Sequence, residues 1–367
     1  MRRRNQKVRI LTLLGKIFGV ALFCIVCFAV IFGVASRIPA VQDAMFAKAL
    51  EKNFGPRAAL LLKDDGINVF FCGTGSPLPS KKRAQTCTAV FAGGKYFLVD
   101  AGTGSWENIQ AAGIPGEKLA GILLTHFHSD HIGDLGEADL GSWVAGRPGK
   151  LAVYGPEGVS RIVDGVNEEF ALDHEYRTAH HGAEIANPAS EGLEAHSFSG
   201  GAPIVVYDLD GLKVSAFPVK HDPVKPAVGY RFDYQGRSVV ISGDTAYTQT
   251  LVDAAKGADL LICEAQANHM VAKMRDAAEK AGNKRLAKIF SDIPSYHTSP
   301  EEAAREANEA GAAMLALTHF TPAPDNPVAK RIFMRGVSKI RPQGVVMAED
   351  GMTIMLPKEG GIDLKKR

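Results

Sequence analysis

The spacing of hydrophobic positions changes three times along the chain. Residues Ile17 to Ser36 form twenty positions without a charge, bounded by Lys16 and Arg37. As a helix, that length matches the hydrocarbon thickness of a bilayer. Beyond it, Val41, Ala44, Met45, Ala49 and Leu50 recur at roughly helical spacing, which predicts a juxtamembrane helix over 38–55 broken at Gly55-Pro56. From Gly66 the apolar runs become short and β-rich: Ile67–Cys72, Thr86–Phe91 and Tyr96–Asp100. Strands then alternate with helices, Gly121–Thr125 before Ile132–Val144 and Leu151–Tyr154 before Glu157–Phe170. Residues 171–201 are polar, contain glycine and lack a clear period, which reads as an excursion or lid. The β pattern resumes at Ile204–Leu209, Lys213–Val219, Val228–Tyr234 and Ser238–Ser242. Helices follow over Gln249–Ala255 and His269–Ala281. The last units are Pro300–Ala310, Met314–Thr318 and Val328–Val337, closing on Val345–Met347 and Thr353–Leu356. Two β-rich halves that divide near residue 200, each with helices, predict one α/β domain over 66–357 with two sheets face to face.

The flanks of the apolar run decide its meaning. Arg2, Arg3, Arg4, Lys7 and Arg9 precede it. A cleavable signal peptide has a similar layout, but its apolar core is usually about 7–15 residues long. Here Ile38-Pro39-Ala40 also puts proline just before the nearest small-residue exit. The expectation is therefore an uncleaved signal anchor, with 1–16 as a basic cytoplasmic N-terminus and 17–36 as a single span of the inner (plasma) membrane. The positive-inside rule puts the rest of the chain, with the domain over 66–357, on the periplasmic, extracytoplasmic side.

All seven charges in residues 1–37 are positive, and taking them from the whole-chain +2 leaves −5 for residues 38–367. A net acidic ectodomain argues against a nucleic-acid partner, since phosphate contacts need Lys and Arg. The five cysteines change little. Cys24 and Cys27 lie in the membrane run, and Cys72, Cys87 and Cys263 lie in apolar strands where buried free thiols are the default. One bridge stays open, between Cys72 and Cys87, if their strands are neighbours.

The chemistry is concentrated in Thr125-His126-Phe127-His128-Ser129-Asp130-His131, directly after the apolar stretch 120–124. Imidazole and carboxylate are the donors that borderline divalent metals such as zinc prefer. The pair His126/His128 suits one ion and the pair Asp130/His131 a second. His221, Asp244 and His319 each follow an apolar strand, where α/β folds place their chemistry. A lone histidine after a strand is more often structural, but three such positions beside a complete H-x-H-x-D-H reverse that weighting. Gly-x-Ser-x-Gly is absent, so a serine nucleophile finds no support. Arg83 and Arg231 read as surface or structural arginines, and His174, His180 and His181 as parts of a solvated loop.

With these residues in view, the sequence resembles the metallo-β-lactamase superfamily, and within it the branch shared by ribonuclease Z and the arylsulfatases of metallo-β-lactamase type. The resemblance is carried by Gly73-Thr74-Gly75-Ser76-Pro77, Val99-Asp100-Ala101-Gly102 and Thr125 to His131. Tyr154-Gly155-Pro156, His221 with Gly229-Tyr230-Arg231, Ser242-Gly243-Asp244-Thr245, and His297-Thr298-Ser299 through to Thr318-His319 complete it. It covers about Ile67 to Leu356 and implies a four-layer αββα sandwich. It also implies two Zn2+ ions, with Mn2+ or Fe2+ as alternatives. His126, His128 and His221 would hold one ion, Asp130, His131 and His319 the other, and Asp244 would bridge them. A hydroxide between the ions would attack the ester, oriented by Asp130, while His297 protonates or stabilises the leaving oxygen. Asp100 and Glu264 would position loops and ligands from behind. A homodimer is a further implication of the resemblance.

Departures from the family pattern shape the substrate expectation. The aspartate of Ser242-Gly243-Asp244-Thr245 argues against β-lactam hydrolysis. Ribonuclease Z carries a glycine- and proline-rich arm that clasps tRNA, whereas residues 171–203 are short and show no basic exosite. The expectation is a membrane-anchored dinuclear zinc hydrolase of small anionic esters, sulfate or phosphate, arylsulfatase-like in character. The alternative is a ribonuclease Z-like phosphodiesterase, a tRNA 3′-processing endonuclease. A second alternative, a non-catalytic metal-binding scaffold, is weakened because all seven ligand positions are filled.

Overall fold

The computed structural model describes residues 2–53, 60–63 and 65–365, with the side chains of 14–48, 60–63 and 65–365. The chain divides into two compact units, Met1–Pro56 and Arg57–Arg367. The first holds helices α1 (Arg2–Ala35) and α2 (Pro39–Asn53). Within α1, Leu14–Ala35 reaches a mean hydropathy of 3.0 over its most apolar 18 residues and is long and apolar enough to cross a membrane, a test that signal sequences near an N-terminus also pass. α2 lies inside the helix expected over 38–55, and the expected break at Gly55-Pro56 falls outside the described residues.

The second unit is built on two sheets. The first receives β1 (Gly66–Gly73), β2 (Cys87–Ala92), β3 (Lys95–Val99), β4 (Leu119–Leu123), β5 (Leu151–Pro156) and β6 (Leu193–Phe198). The second receives β7 (Ile204–Leu209), β8 (Leu212–Pro218), β9 (Val228–Tyr234), β10 (Arg237–Ile241), β11 (Leu260–Gln266), β12 (Met314–Thr321) and β13 (Val345–Met347). The chain then returns β14 (Thr353–Pro357) and β15 (Asp363–Lys365) to the first sheet. The strand orders are β15-β14-β1-β2-β3-β4-β5-β6 and β13-β12-β11-β10-β9-β8-β7. In each sheet the run nearer one edge, β3 to β6 or β10 to β13, is parallel.

Alternation along the strands separates the layers, because successive side chains of a strand point to opposite faces. Ile67, Val69 and Phe71 of β1 join Val214, Phe232 and Ile262 between the sheets, while Phe70 and Cys72 face outward. In β11, Leu260 and Ile262 turn inward and Leu261 and Cys263 outward. The helices α3 (Ser105–Ala111), α4 (Ser129–Ile132), α5 (Leu135–Val144) and α6 (Val159–His181) follow strands of the first sheet. Ile109, Leu135 and Val163 pack three of them onto its outer face. The second half carries α7 (Gln249–Ala254), α8 (Asn268–Lys280), α9 (Lys284–Asp292), α10 (Pro300–Glu309), α11 (Pro327–Phe333) and α12 (Val337–Ile340). Leu251, Ala303, Ala307 and Phe333 cover the other outer face. The result is an αββα sandwich in which each fully buried Leu, Ile or Phe contributes roughly 1.5–3 kcal/mol. α10 starts as its sequence predicts. Ser299 Oγ accepts from the Glu302 N–H, the Glu302 carboxylate accepts from the Ser299 N–H, and Pro300 opens the first turn.

Three local expectations need correction. Residues 171–201 form no lid: α6 runs on to His181, and β6 then becomes the edge of the first sheet. His174, expected in a solvated loop, is buried with Nε2 at 2.9 Å from Asp139, whose other oxygen binds Arg147 at 2.6 Å. That long-range charge cluster fastens α6 and leaves no mark in local periodicity. His180 and His181, at the end of α6, are exposed. α9 is absent from the periodicity reading, yet its Ala287 and Phe290 pack on Val271 and Ala278 of α8. Finally, Cys72 and Cys87 are not free. A register shift between Phe71 and Gly73 brings them together on neighbouring strands with Cα atoms 5.1 Å apart, and they form a disulfide, while Cys263 remains a buried thiol.

Glu306 on α10 is buried and has no counter-ion among the described residues; one oxygen accepts from the Thr248 N–H at 3.0 Å and the other finds no partner among them. Burial, reinforced by Glu302 and Glu264 and only partly offset by the Thr248 bond, pushes its carboxyl up to about 8. Between the ordinary glutamate value and that value, the folded chain keeps a proton that the unfolded chain gives up. Stability therefore falls as pH rises through this window. Glu306→Gln removes the charge and keeps an acceptor for Thr248. Its melting temperature should gain on that of the parent chain between about pH 5 and about pH 8.5. A difference that stays constant with pH would acquit Glu306.

Candidate metal centre

The ends of four strands converge at one edge of the sandwich. β4 hands over to Thr125–His131, with Asp130 and His131 carried on α4; β8 leads to His221, β10 to Asp244, and β12 contains His319. Two residues here have unusual backbones. His319 has φ 48° at a bulge, where Glu264 pairs with Thr318 and Ala265 with Phe320. Asp100, just after β3, has φ 61°. Non-glycine residues hold such angles only where their surroundings over-determine them, and bulges re-aim side chains. Gly243, at φ +62°, is equally constrained. A Cβ there would lie 2.7 Å from the Val228 carbonyl oxygen and 3.0 Å from Thr125 Cβ, so only glycine lets the end of β10 approach the His126 loop.

The structure brings together all seven residues expected as ligands. Donor atoms of His126, His128, His221 and Asp244 lie within 4.8 Å of one another, as do those of Asp130, His131 and His319. His126 Nε2 is 2.9 Å from His128 Nδ1, which is 3.5 Å from His221 Nε2. His319 Nε2 is 3.2 Å from Asp130 Oδ2. Asp244 joins the two groups: its Oδ2 lies 4.0 Å from His221 Nε2 and 3.4 Å from both His131 Nε2 and His319 Nε2. His297 stands beside them, with Nδ1 3.9 Å from the same Asp244 oxygen.

Other groups fix which ring nitrogen faces the centre. Asp100 takes His131 Nδ1 at 2.8 Å and the Thr125 N–H at 2.8 Å. The Tyr296 carbonyl accepts from His221 Nδ1 at 3.0 Å. Glu264 takes His297 Nδ1 at 2.8 Å and the Thr245 N–H at 2.7 Å. Asp100 and Glu264 stand where the sequence suggested supporting acids. The pairing of Glu264 with His297 and the Tyr296 carbonyl were not anticipated, and a backbone acceptor leaves no signal in residue type. Arg83 is structural, binding Thr74, the Ala348 carbonyl and Asp325 and lying over the Phe320 ring. Arg231 likewise binds Asp233 and the Ala254 carbonyl.

The electrostatics suit a cation. Burial and the neighbouring rings of His131 and His221 hold His126 well below the ordinary imidazole range, so it is neutral, the form that ligates. Burial and His221 hold His128 down as well. Burial opposes the ionised form of Asp244, yet His319 and His131 outweigh it and keep the carboxyl well below its usual range. The same contacts raise His131: burial works against its charge, but Asp244 and Asp100 prevail. Protons on His131 thus perform the neutralisation that a metal ion would take over. Among the described residues His131 Nε2 and His319 Nδ1 are buried without a hydrogen-bond partner, and the nitrogen and oxygen donor set fits a divalent ion.

Comparison with known proteins agrees with this arrangement. The model of the beta-lactamase superfamily domain matches residues 95–320. Ribonuclease Z of Mycobacterium bovis is 38% identical over 260 residues, covering 70% of this chain and 87% of that protein. The chain belongs to the ribonuclease Z branch of the beta-lactamase superfamily. Among solved structures, the short form of human tRNase Z superposes with a TM-score of 0.56 at 23% identity, covering 79% of this chain and 99% of that one. A metallo-beta-lactamase fold protein of Bacillus subtilis, YhfI, gives 0.55 at 22% identity, covering 79% and 99%. These two likenesses establish the fold. As a member of this branch, the chain is a metal-dependent hydrolase acting on ester bonds.

The arylsulfatase-like expectation is corrected by the ribonuclease Z identity, and with it both the small anionic ester as substrate and the argument against nucleic acid. The net charge misled for a physical reason. Among the described residues seven acids are buried (Asp100, Asp130, Asp134, Asp139, Asp244, Glu264 and Glu306) against one buried arginine, Arg147. The formal −5 of residues 38–367 therefore misstates the surface that a polyanion would meet.

If the seven donors hold two ions, Asp244→Ala should lower metal content, by elemental analysis, to one per chain at most. Full two-metal occupancy would sink the bridging role. Asp100→Asn should keep the two-ion stoichiometry at saturating zinc while weakening affinity by roughly 10–100-fold.

Proposed function

We propose that this chain is a ribonuclease Z-like phosphodiesterase that cleaves tRNA with two zinc ions. The observation that carries this reading is the Asp244 carboxylate, within 3.4–4.0 Å of histidines from both donor groups. His126, His128 and His221 would hold one ion and Asp130, His131 and His319 the other, and Asp244 is near enough to both groups to serve either. Zinc bound there would polarise the phosphate and lower the pKa of water, the two services that dinuclear sites give to phosphodiester cleavage.

The chain's own groups account for the remaining steps. Asp130 Oδ2, held toward His319, orients the attacking water. His297 has Nδ1 tied to Glu264, which fixes the ring and leaves Nε2 free; from its doubly protonated form the ring would give the Nε2 proton to the departing oxygen and keep the Nδ1 proton on the side of Glu264. The buried Asp100 and Glu264 keep the donor nitrogens turned inward while substrate enters and leaves.

Location is the second part of the proposal. Leu14–Ala35 serves as a single membrane span with the arginine-rich end in the cytoplasm, and the catalytic unit lies on the extracytoplasmic side. The Cys72–Cys87 bridge supports this side, since disulfides persist in oxidising compartments. An enzyme so placed acts on tRNA that has left the cytoplasm.

The full chain, held in detergent and loaded with zinc, should cut a tRNA bearing a 3′ trailer and hydrolyse bis-p-nitrophenyl phosphate, and a chelator should stop both. An intact tRNA in that assay would end the reading. His297→Ala should lower tRNA cleavage by roughly 100-fold or more with metal content unchanged. The loss should be smaller on bis-p-nitrophenyl phosphate, whose leaving group needs no proton; equal losses would return His297 to a structural role. For location, denatured but unreduced chain taken from cells should expose three alkylatable thiols, Cys24, Cys27 and Cys263. Five without reductant would contradict the bridge and the compartment together.

A further inference from the structure

A cavity of about 490 Å³ opens directly beside His128. Its wall joins the ring of Phe127, apolar Ile162 and Val224, and the cationic side chains of Arg161 and Lys225. A volume of that order accommodates a ligand about the size of one nucleotide. Phe127 lies between the proposed ligands His126 and His128 and is only half-buried. It has a built seat: Gly158, at φ +110°, would with a Cβ stand 3.0 Å from Phe127 Cε2. Glycine at that position allows both the turn into α6 and the close approach of the ring.

The cations on this wall are available. Arg161, in the first turn of α6, is exposed, and its guanidinium makes no hydrogen bond or ion pair among the described residues. Lys225 pairs with Asp222 at 2.6 Å, with both side chains largely in solvent, a pairing of small energetic weight. Glu157, the acid on the same wall, accepts from the Gly200 N–H at 3.0 Å and is occupied by that bond.

An aromatic ring beside an unpaired guanidinium is the combination that holds an unstacked base and its phosphate. We infer that this cavity is a nucleotide subsite, in which Phe127 stacks the base flanking the cleaved phosphodiester and Arg161 holds the adjoining phosphate. The inference rests on the phosphodiesterase reading above and names how that site grips its substrate. Its position next to His128 admits only a nucleotide adjoining the bond that is cut. Stacking is tolerant of base identity, so this subsite adds affinity with little sequence preference.

The test pairs changes in substrate with changes in protein. The full zinc-loaded chain is assayed on the trailer-bearing tRNA and on two versions lacking the base on the 5′ or the 3′ side of the cleaved bond. Removal of the base at one of these positions should raise KM about tenfold, the scale of one base–aromatic stack. Phe127→Leu and Arg161→Ala should each raise KM for the complete tRNA. In Phe127→Leu the ratio between complete and base-lacking tRNA should fall toward one, a readout that a merely structural role would not produce. A ratio near one in the parent chain at both positions, or a ratio preserved in Phe127→Leu, overturns the subsite. Hydrolysis of bis-p-nitrophenyl phosphate without any tRNA cleavage overturns the subsite and the choice of RNA but leaves the phosphodiesterase centre standing. Loss of both activities in the zinc-loaded parent chain defeats the phosphodiesterase reading itself.

Discussion

A carboxylate buried among imidazoles needs positive charge around it, and Asp244 is the point at which this protein meets that demand. Its Oδ2 lies 3.4 Å from two ring nitrogens, 3.9 Å from a third and 4.0 Å from a fourth, in a site where it is 3% exposed. Leaving such a group unpaired would cost several kcal/mol. In the protein alone, protonated imidazole supplies the charge; in the proposed enzyme, divalent ions displace those protons, which links metal loading to pH. The local departures from ideal geometry serve this convergence. The bulge at His319 turns one ligand inward, the left-handed Asp100 reaches back to His131, and Gly243 removes a side chain that would hold two strand ends apart.

The sandwich makes those departures affordable because its stability lies elsewhere. Ile67, Val69, Phe71, Val214, Phe232 and Ile262 close the interior between the sheets, and separate apolar layers bind helices to each outer face. The polar centre occupies the ends of β4, β8, β10 and β12, outside that packing. A rigid body with chemistry on its strand-end loops is the arrangement that tolerates strained ligands without loss of the fold. The disulfide between β1 and β2 and the Asp139–Arg147–His174 cluster add long-range ties at the periphery.

The correction of the arylsulfatase-like, small-ester expectation turns on the difference between a sum and a surface. Formal charge adds buried and exposed groups alike, whereas RNA meets only the exposed ones. With seven acids buried, the centre's own carboxylates among them, the acidic total described the metal demand better than the substrate. Arg161 and the solvent-exposed Lys225, the latter paired with Asp222, line the cavity beside His128 and carry the local sign that an RNA phosphate would meet.

Much of this was legible in one dimension. The H-x-H-x-D-H run, with His221, Asp244 and His319 after apolar strands, contains seven residues that the structure gathers into adjoining groups of donor atoms, while the nearness of Glu264 and His297 to Asp244 and His319 came only from the fold. The short β-rich runs and the unit beginning at Pro300 were likewise local and readable. What sequence could not carry was anything decided by contacts between distant segments. The continuation of α6 depends on Asp139 meeting His174, the Cys72–Cys87 bond on a register shift, and the ring orientation of His297 on Glu264, 33 positions earlier. Sequence alone determined which chemical groups this protein possesses and near which strand ends they lie. Tertiary structure alone decided which of them are buried together, because burial sets both the charge a site must attract and the charge the surface displays.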